Sequence, residues 1–347
     1  MSVFSKIKGF LSRHRNKFVV GGIILAGSIF FTRYAQQRLR QWHEKEAIEF
    51  IERNRKQSHF ESINRTCNQT VINLSTSLLE KLYQTINTDE TINNLKSNPG
   101  NKLELWILLK NKLFTKAGCI IYSLVVLVIT LKLQLNIVGG YLYKDPTSVP
   151  AEVQEKYLSL CEGFLNSGVS KLAKLIEEEV VKLLQNVDFK KQMKISDLEA
   201  IFWSLQSSLG AGDGNPVNEL KNYIFLDDPP SGDDVYNNML RDTADLLESE
   251  EVKFLIIHNI NTGFVLLGDQ LSEFFNQSTP NITEVAPNGE PDQFQNPFMN
   301  KKPLAKILPI LNGLLSKQSL PHNLMHHLIT NEKLQTLCAN VYESLLD

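Results

Sequence analysis

The stretch AGCIIYSLVVLVITL, Ala117 to Leu131, carries no charge, and the fold turns on how it is read. Such a run suits a membrane span, a buried helix or a strand. A span needs about 20 apolar residues to cross roughly 30 Å. Here Lys132, Gln134 and Asn136 follow in the same stretch, before Gly139 and Gly140, so the apolar character is not sustained. Its Val and Ile content fits a strand, but its length favours a helix. A helix apolar on every side is one that other helices surround. The segment therefore predicts the central helix of an all-α body.

Working outward, the flanking segments repeat the helical period. Upstream, residues 60–86 place Ile63, Val71, Leu74, Leu78, Leu79 and Leu82 on one face. Asp89 and Thr91 open a short element that stops at Asn98, Pro99 and Gly100, a strong breaker. Asn101 is read as the cap of a helix carrying Leu103, Trp106, Leu109 and Leu113. Downstream, beyond Pro146 and Pro150, residues 151–186 predict one long amphipathic helix. Ser196 is read as the cap of another, through Leu209. Residues 210–234, rich in Gly, Pro and acid, predict a surface loop, and so do the Pro- and Asn-rich residues 276–300. Helices resume at 235–248 and 250–275. Short ones close the chain at Pro303 to Leu315 and Pro321 to Leu346. No convincing strand alternation and no repeat of 20–50 residues is present.

The N-terminus reads differently. FVVGGIILAGSIFF, Phe18 to Phe31, is uncharged and carries three glycines, which suits a membrane helix. It is short for a span, but snorkelling of Lys17 and Arg33 extends its reach. A cleaved signal peptide and a buried or interfacial helix are the alternatives; against cleavage, no A-x-A-like site follows, only Thr32, Arg33 and Tyr34. The polar, helix-forming residues from Tyr34 to Lys56 continue the anchor helix into water.

The 347 residues are 42% hydrophobic and 21% charged, ordinary globular values. The net charge of −2 conceals an asymmetry. Residues 1–45 hold nine Lys or Arg against Glu44 alone, +8, which leaves −10 on the remainder. An acidic body excludes the clustered positive charge that phosphate-tracking needs, so no nucleic-acid partner is expected. The basic head points to a membrane or targeting role. Cys67, Cys119, Cys161 and Cys338 show no paired spacing, which predicts reduced thiols and no zinc site.

No motif carries catalytic chemistry. P-loop, GxGxxG, HExxH and GxSxG patterns are absent. His322 and His326 have i, i+4 spacing, but only Glu332 lies nearby as a further ligand, so a solvated or packed pair is expected. Glu177, Glu178 and Glu179 read as a solvated helix face. No enzyme activity, cofactor, metal or small-molecule substrate is expected. The informative feature is the helix opened by Asn101. Leu103, Trp106, Leu109 and Leu113 make one apolar face, Leu105 and Leu108 another, and Lys102, Lys110 and Lys112 supply charge. Such a helix is either packed on both faces or exposes one as a groove for a partner's amphipathic helix, with Trp106 as anchor.

Five segments carry a resemblance. HFESINRTCN (His59–Asn68), NKLELW (Asn101–Trp106), LQLNIVGGYLY (Leu133–Tyr143), PLAKILPILNG (Pro303–Gly313) and ANVYESL (Ala339–Leu345) closely resemble the peroxin-3 family, in order from end to end. The resemblance implies a peroxisomal membrane protein, single-pass, with its N-terminus on the matrix side and an all-helical body in the cytosol. It implies a basic head and targeting segment at 1–17, a transmembrane anchor at 18–33 and a cytosolic docking domain at 34–347. The partners implied are peroxisomal membrane lipid and peroxin-19, the soluble receptor and chaperone for new peroxisomal membrane proteins, which docks through its amphipathic N-terminal helix. The family's groove maps onto Leu95, Lys96, Lys102 and Trp106, with Leu103 and Leu105 beside them. One departure stands out: where the family has acidic residues after the Trp, this chain has Ile107 and Leu108. They either enlarge the apolar rim or signal different packing. The competing reading is a membrane-anchored scaffold or tether that binds another partner through its surface loops.

Overall fold

The computed structural model describes residues 15–97, 100–211, 214–225, 234–276 and 300–346, with the backbone alone at 15–37, 39, 41 and 43. Of the expected head at 1–17, residues 1–14 lie outside the described residues, as does most of the 276–300 segment. The side chains of the expected anchor at 18–33 do too. The chain divides into two units, residues 1–59 and 60–347.

In the first unit the backbone is helical from Arg15, as the opening part of α1 (Arg15–Thr85). Trp42, Ile48, Phe50 and Ile51 are large apolar side chains that stay exposed on it.

The second unit is helical, with one two-residue antiparallel bridge, β1 (Gln192–Met193) to β2 (Lys302–Pro303). After α1 come α2 (Thr88–Lys96), α3 (Lys102–Lys144), α4 (Ala151–Leu158), α5 (Leu160–Gly163), α6 (Val169–Leu184), α7 (Ile195–Ala211) and α8 (Lys221–Ile224). Then follow α9 (Asp234–Glu248), α10 (Glu250–Asn276), α11 (Leu304–Leu314), α12 (Leu320–Thr330) and α13 (Glu332–Ser344). The body is all-α.

α3 is the axis of this unit, with α2, α6, α9, α10, α12 and α13 packed round it. It is long and apolar enough to cross a membrane, yet 94% of its most apolar window is buried inside the protein. The expected central helix is thus observed, and it runs further than its apolar run. Lys132, Gln134 and Asn136 are themselves buried. Each makes at least one hydrogen bond, as burial of polar groups favours, although the Asn136 Oδ1 is left without a partner. The Gln134 amide donates to the Tyr157 carbonyl (3.1 Å) and accepts from the Cys161 thiol (2.9 Å). Asn136 donates to the Lys132 carbonyl at 2.7 Å.

Gly139 and Gly140 do not precede a helix end; α3 continues to Lys144. They let neighbours approach: a Cβ on Gly139 would sit 2.2 Å from Ile63 Cδ1, and one on Gly140 2.8 Å from Leu345 Cβ. Phe60 and Tyr143 each meet the Tyr342 ring, at 5.6 and 6.2 Å. Three of the five family-like segments therefore meet here, as a packing unit at one end of the core.

Several expected boundaries shift for identifiable reasons. The helix expected over 151–186 breaks at Ser159, whose hydroxyl donates to the Lys156 carbonyl (2.6 Å), and widens into a π-turn at Phe164–Gly168. Asn101 precedes α3 but does not cap it; its amide turns to the Glu104 carboxylate, 3.5 Å away. Ser196 is no cap either, because α7 starts at Ile195 and the Asp197 carboxylate accepts from the Lys194 N–H (2.8 Å). The 210–234 segment is only in part a surface loop: Val217, Leu220 and Ile224 are buried. Apolar spacing within a Gly- and Pro-rich stretch was enough to fold a turn of helix onto the core. The closing segment is two helices, parted at Asn331, whose side chain caps α13 by accepting from the Leu334 N–H (3.0 Å).

Candidate partner-binding site

The first turns of α3 leave the core while still apolar. Leu109 and Leu113 are buried, Leu105 and Trp106 half-buried, and Leu103 is 67% exposed. Ile107 and Leu108 are also exposed, at 41% and 39%. Leu103 and Ile107 line a groove of about 490 Å³ whose far wall is Val181 and Leu184 of α6 and the turn through Phe189. Trp106 stands beside it, edge-on to Phe189 with ring centroids 6.2 Å apart. Such tilted aromatic pairs are preferred over face-to-face stacks.

The lysines of α3 divide into two kinds. Lys102 is exposed in the first turn. Lys110, expected on a charged face, is instead buried, and it donates to the Leu184 and Val187 carbonyls at 2.8 and 3.0 Å. The Leu184 oxygen ends α6 and also accepts from the Val187 N–H (3.1 Å), the Val187 oxygen belongs to the turn beyond, and a cation there meets the negative end of the helix dipole. The ammonium lies 5.3 Å from the Phe189 ring centre. Burial pushes its pKa down, opposed in part by Asp188. One side chain thus fastens both walls of the groove. Lys112 likewise serves packing, donating to the Asn87 carbonyl (2.9 Å) and Thr91 hydroxyl (3.1 Å) at the start of α2.

Leu95 is half-buried on the core and Lys96 exposed, both in the last turn of α2. Neither lines the cavity, nor do Lys102 and Leu105; they flank the short connection into α3. The far wall, Val181 to Phe189, is not among the residues that sequence patterning singles out. Its signal was Val180 and Val181 in succession, of which only Val180 is buried.

The other candidates are structural. Glu179 is not on the solvated face; it accepts from Lys182 (2.6 Å) and from the Ser208 hydroxyl. Among the described residues no group of three or more His, Cys, Asp or Glu could hold a metal ion. All four cysteines are free and buried. Burial raises the Cys67 and Cys161 thiols to about 12, which keeps them protonated and unreactive.

These features define a class: an all-helical protein built round one buried apolar helix, with an aromatic-edged groove where that helix emerges. The Peroxin-3 family profile matches residues 9–102. The peroxisomal biogenesis factor 3 proteins of Mus musculus and Homo sapiens are each 33% identical to this chain, over 96% of both lengths. That of Bos taurus is 32% identical over 99% of this chain and 98% of its own. The chain belongs to the peroxin-3 family, a family of peroxisome biogenesis factors.

Proposed function

We propose that the chain is a docking receptor in the peroxisomal membrane, and that its groove receives the amphipathic N-terminal helix of peroxin-19. Residues 18–33 are the single-pass anchor, with the basic head on the matrix side and residues 34–347 in the cytosol. The receptor brings newly made membrane proteins, and the anchored body holds it beside the bilayer where they insert. The observation that carries this reading is the groove at the start of α3, with Leu103 and Ile107 exposed and Trp106 at its edge. An apolar groove with an aromatic anchor is what a helix-in-groove partner needs. Lys96 and Lys102 set orientation against acidic residues of the partner. Ile107 and Leu108 widen the apolar rim.

Titration calorimetry of the full chain in phosphatidylcholine nanodiscs against peroxin-19 tests it. Trp106→Ala is expected to cost at least about 2 kcal/mol of binding. Unchanged affinity in a folded variant overturns the groove assignment. The rival reading, a tether that binds through its surface loops, has less support because the 210–234 segment commits Val217, Leu220 and Ile224 to the core.

A further inference from the structure

A second apolar surface lies away from the groove, on α7 and α10. These two helices run antiparallel. A Cβ on Gly268 would lie 3.7 Å from the Glu199 carboxylate, and the Phe202 and Phe264 rings are 5.5 Å apart. The next residue on each helix faces outward at the same level: Trp203, 69% exposed, and Val265, 59% exposed. Along α10 the exposed line continues through Asn261 to Ile257 and Phe254, 44% and 65% exposed. Residues 254, 257, 261 and 265 follow the spacing of one helix face. Phe254 stacks on His258 at 6.3 Å, which holds the ring against its own helix. Scattered exposed apolar residues are unremarkable, but a row that includes Trp and Phe on adjoining helices marks an interaction surface.

Charge selects the partner. Exposed Glu199 lies beside Trp203 on α7. On α10, Glu250 and Glu251 border the row at one end, and Asp269 and Glu273 at the other. The only cation on the two helices is Lys253, which is paired with Glu250 at 3.1 Å. The groove near Trp106 differs in having Lys96 and Lys102 exposed beside it.

We propose that the Trp203–Phe254 surface binds an amphipathic helix whose apolar face is flanked by Lys and Arg, contributed by a protein partner distinct from the one in the groove. The acidic rim steers and orients that helix, while Trp203 and Phe254 supply the buried contact. The same rim repels anionic lipid, which makes a protein helix the better fit.

The test uses full-length chain in phosphatidylcholine nanodiscs and two labelled 18-residue helical peptides with the same Leu face, one flanked by Lys, the other by Glu. Fluorescence anisotropy, corrected for empty nanodiscs, is expected to show the Lys peptide bound, with affinity falling as salt rises. The double variant Trp203→Ala/Phe254→Ala should weaken it about tenfold or more. Trp106→Ala should leave it unchanged. Because Trp203 and Phe254 are exposed, the variants should keep the parent's circular dichroism and melting. Glu199→Lys/Asp269→Lys, which leaves the apolar row intact, should reverse the preference toward the Glu peptide. The proposal is overturned if the Lys peptide binds only the lipid, if the double variant binds it as the parent does, or if charge reversal leaves the preference intact.

Discussion

Trp106 and Phe189 stand edge to face, their ring planes 62° apart, although 82 positions of chain separate them. Phe189 ends the turn after α6, so α6 fixes the Trp106 ring of α3. Phe189→Ala removes that support together with one residue of the far wall, and leaves Leu103 and Ile107 in place. Under the docking role proposed above, it is expected to weaken peroxin-19 binding by about 0.5–1.5 kcal/mol, less than loss of Trp106 itself. Calorimetry on both variants checks the order. Equal affinities for the parent and Phe189→Ala would show that Trp106 is held without it.

Lys110 joins the same two elements through its ammonium. Lys110→Met keeps the apolar stem and removes this donor from both carbonyls, of which Leu184 keeps its bond from the Val187 N–H. Leaving a carbonyl such as that of Val187 unpaired costs about 1–3 kcal/mol. Urea denaturation should show that loss, and peroxin-19 affinity should fall with it as the groove walls loosen. Lys112→Met, whose donor serves α2, should lower stability while affecting affinity less.

Gly168 tests packing against propensity. Ala is favoured over Gly in a helix interior by about 1 kcal/mol. A Cβ here, however, would lie 2.3 Å from the Tyr223 carbonyl oxygen of α8. Backbone must give way, and overpacking of this kind costs about 1–3 kcal/mol. Gly168→Ala is therefore expected to destabilise. A gain in the urea midpoint would show that α8 is not held against the π-turn.

Acidification should destabilise the body through His327. Burial, then His258 and His326, hold its pKa below the ordinary 6.5. The unfolded chain therefore takes up the proton first, so stability is full above about 6.5 and falls as pH drops toward the folded value. His59, lowered by burial and by Arg55, acts in the same direction. Melting temperatures measured between about pH 7.5 and about pH 5 should decline, above the range where carboxylates titrate. His327→Gln should flatten the decline without abolishing it. An unchanged slope would remove His327 from the account.

The resemblance between this chain and its family rests largely on packing. Phe60 and Ile63, Gly139, Gly140 and Tyr143, and Tyr342 and Leu345 belong to three of the matching segments and meet at one end of the core. Their side chains are constrained by volume, and glycine is required where Ile63 and Leu345 press on α3. The groove is less visible in sequence, since an exposed Leu103 and a buried Leu109 are the same letter.

The sequence by itself determined the all-α class and the central helix. A long apolar run with helical periods on either side has few alternatives, since a helix apolar all round must be enclosed. It also placed Trp106 on a helix with two apolar faces, of which a core need cover only one. Only the tertiary structure decided which face stays open and what stands opposite. Three lysines on one helix look equivalent in sequence. Lys102 stays in solvent while Lys110 and Lys112 fasten neighbouring elements, because the carbonyls they satisfy are 25 and 74 or more positions away. The same holds for the 210–234 segment, whose Gly and Pro content reads as surface while Val217, Leu220 and Ile224 fold inward. Local patterning sets what a segment prefers; which polar groups need donors and which apolar faces find cover is settled by neighbours distant in the chain.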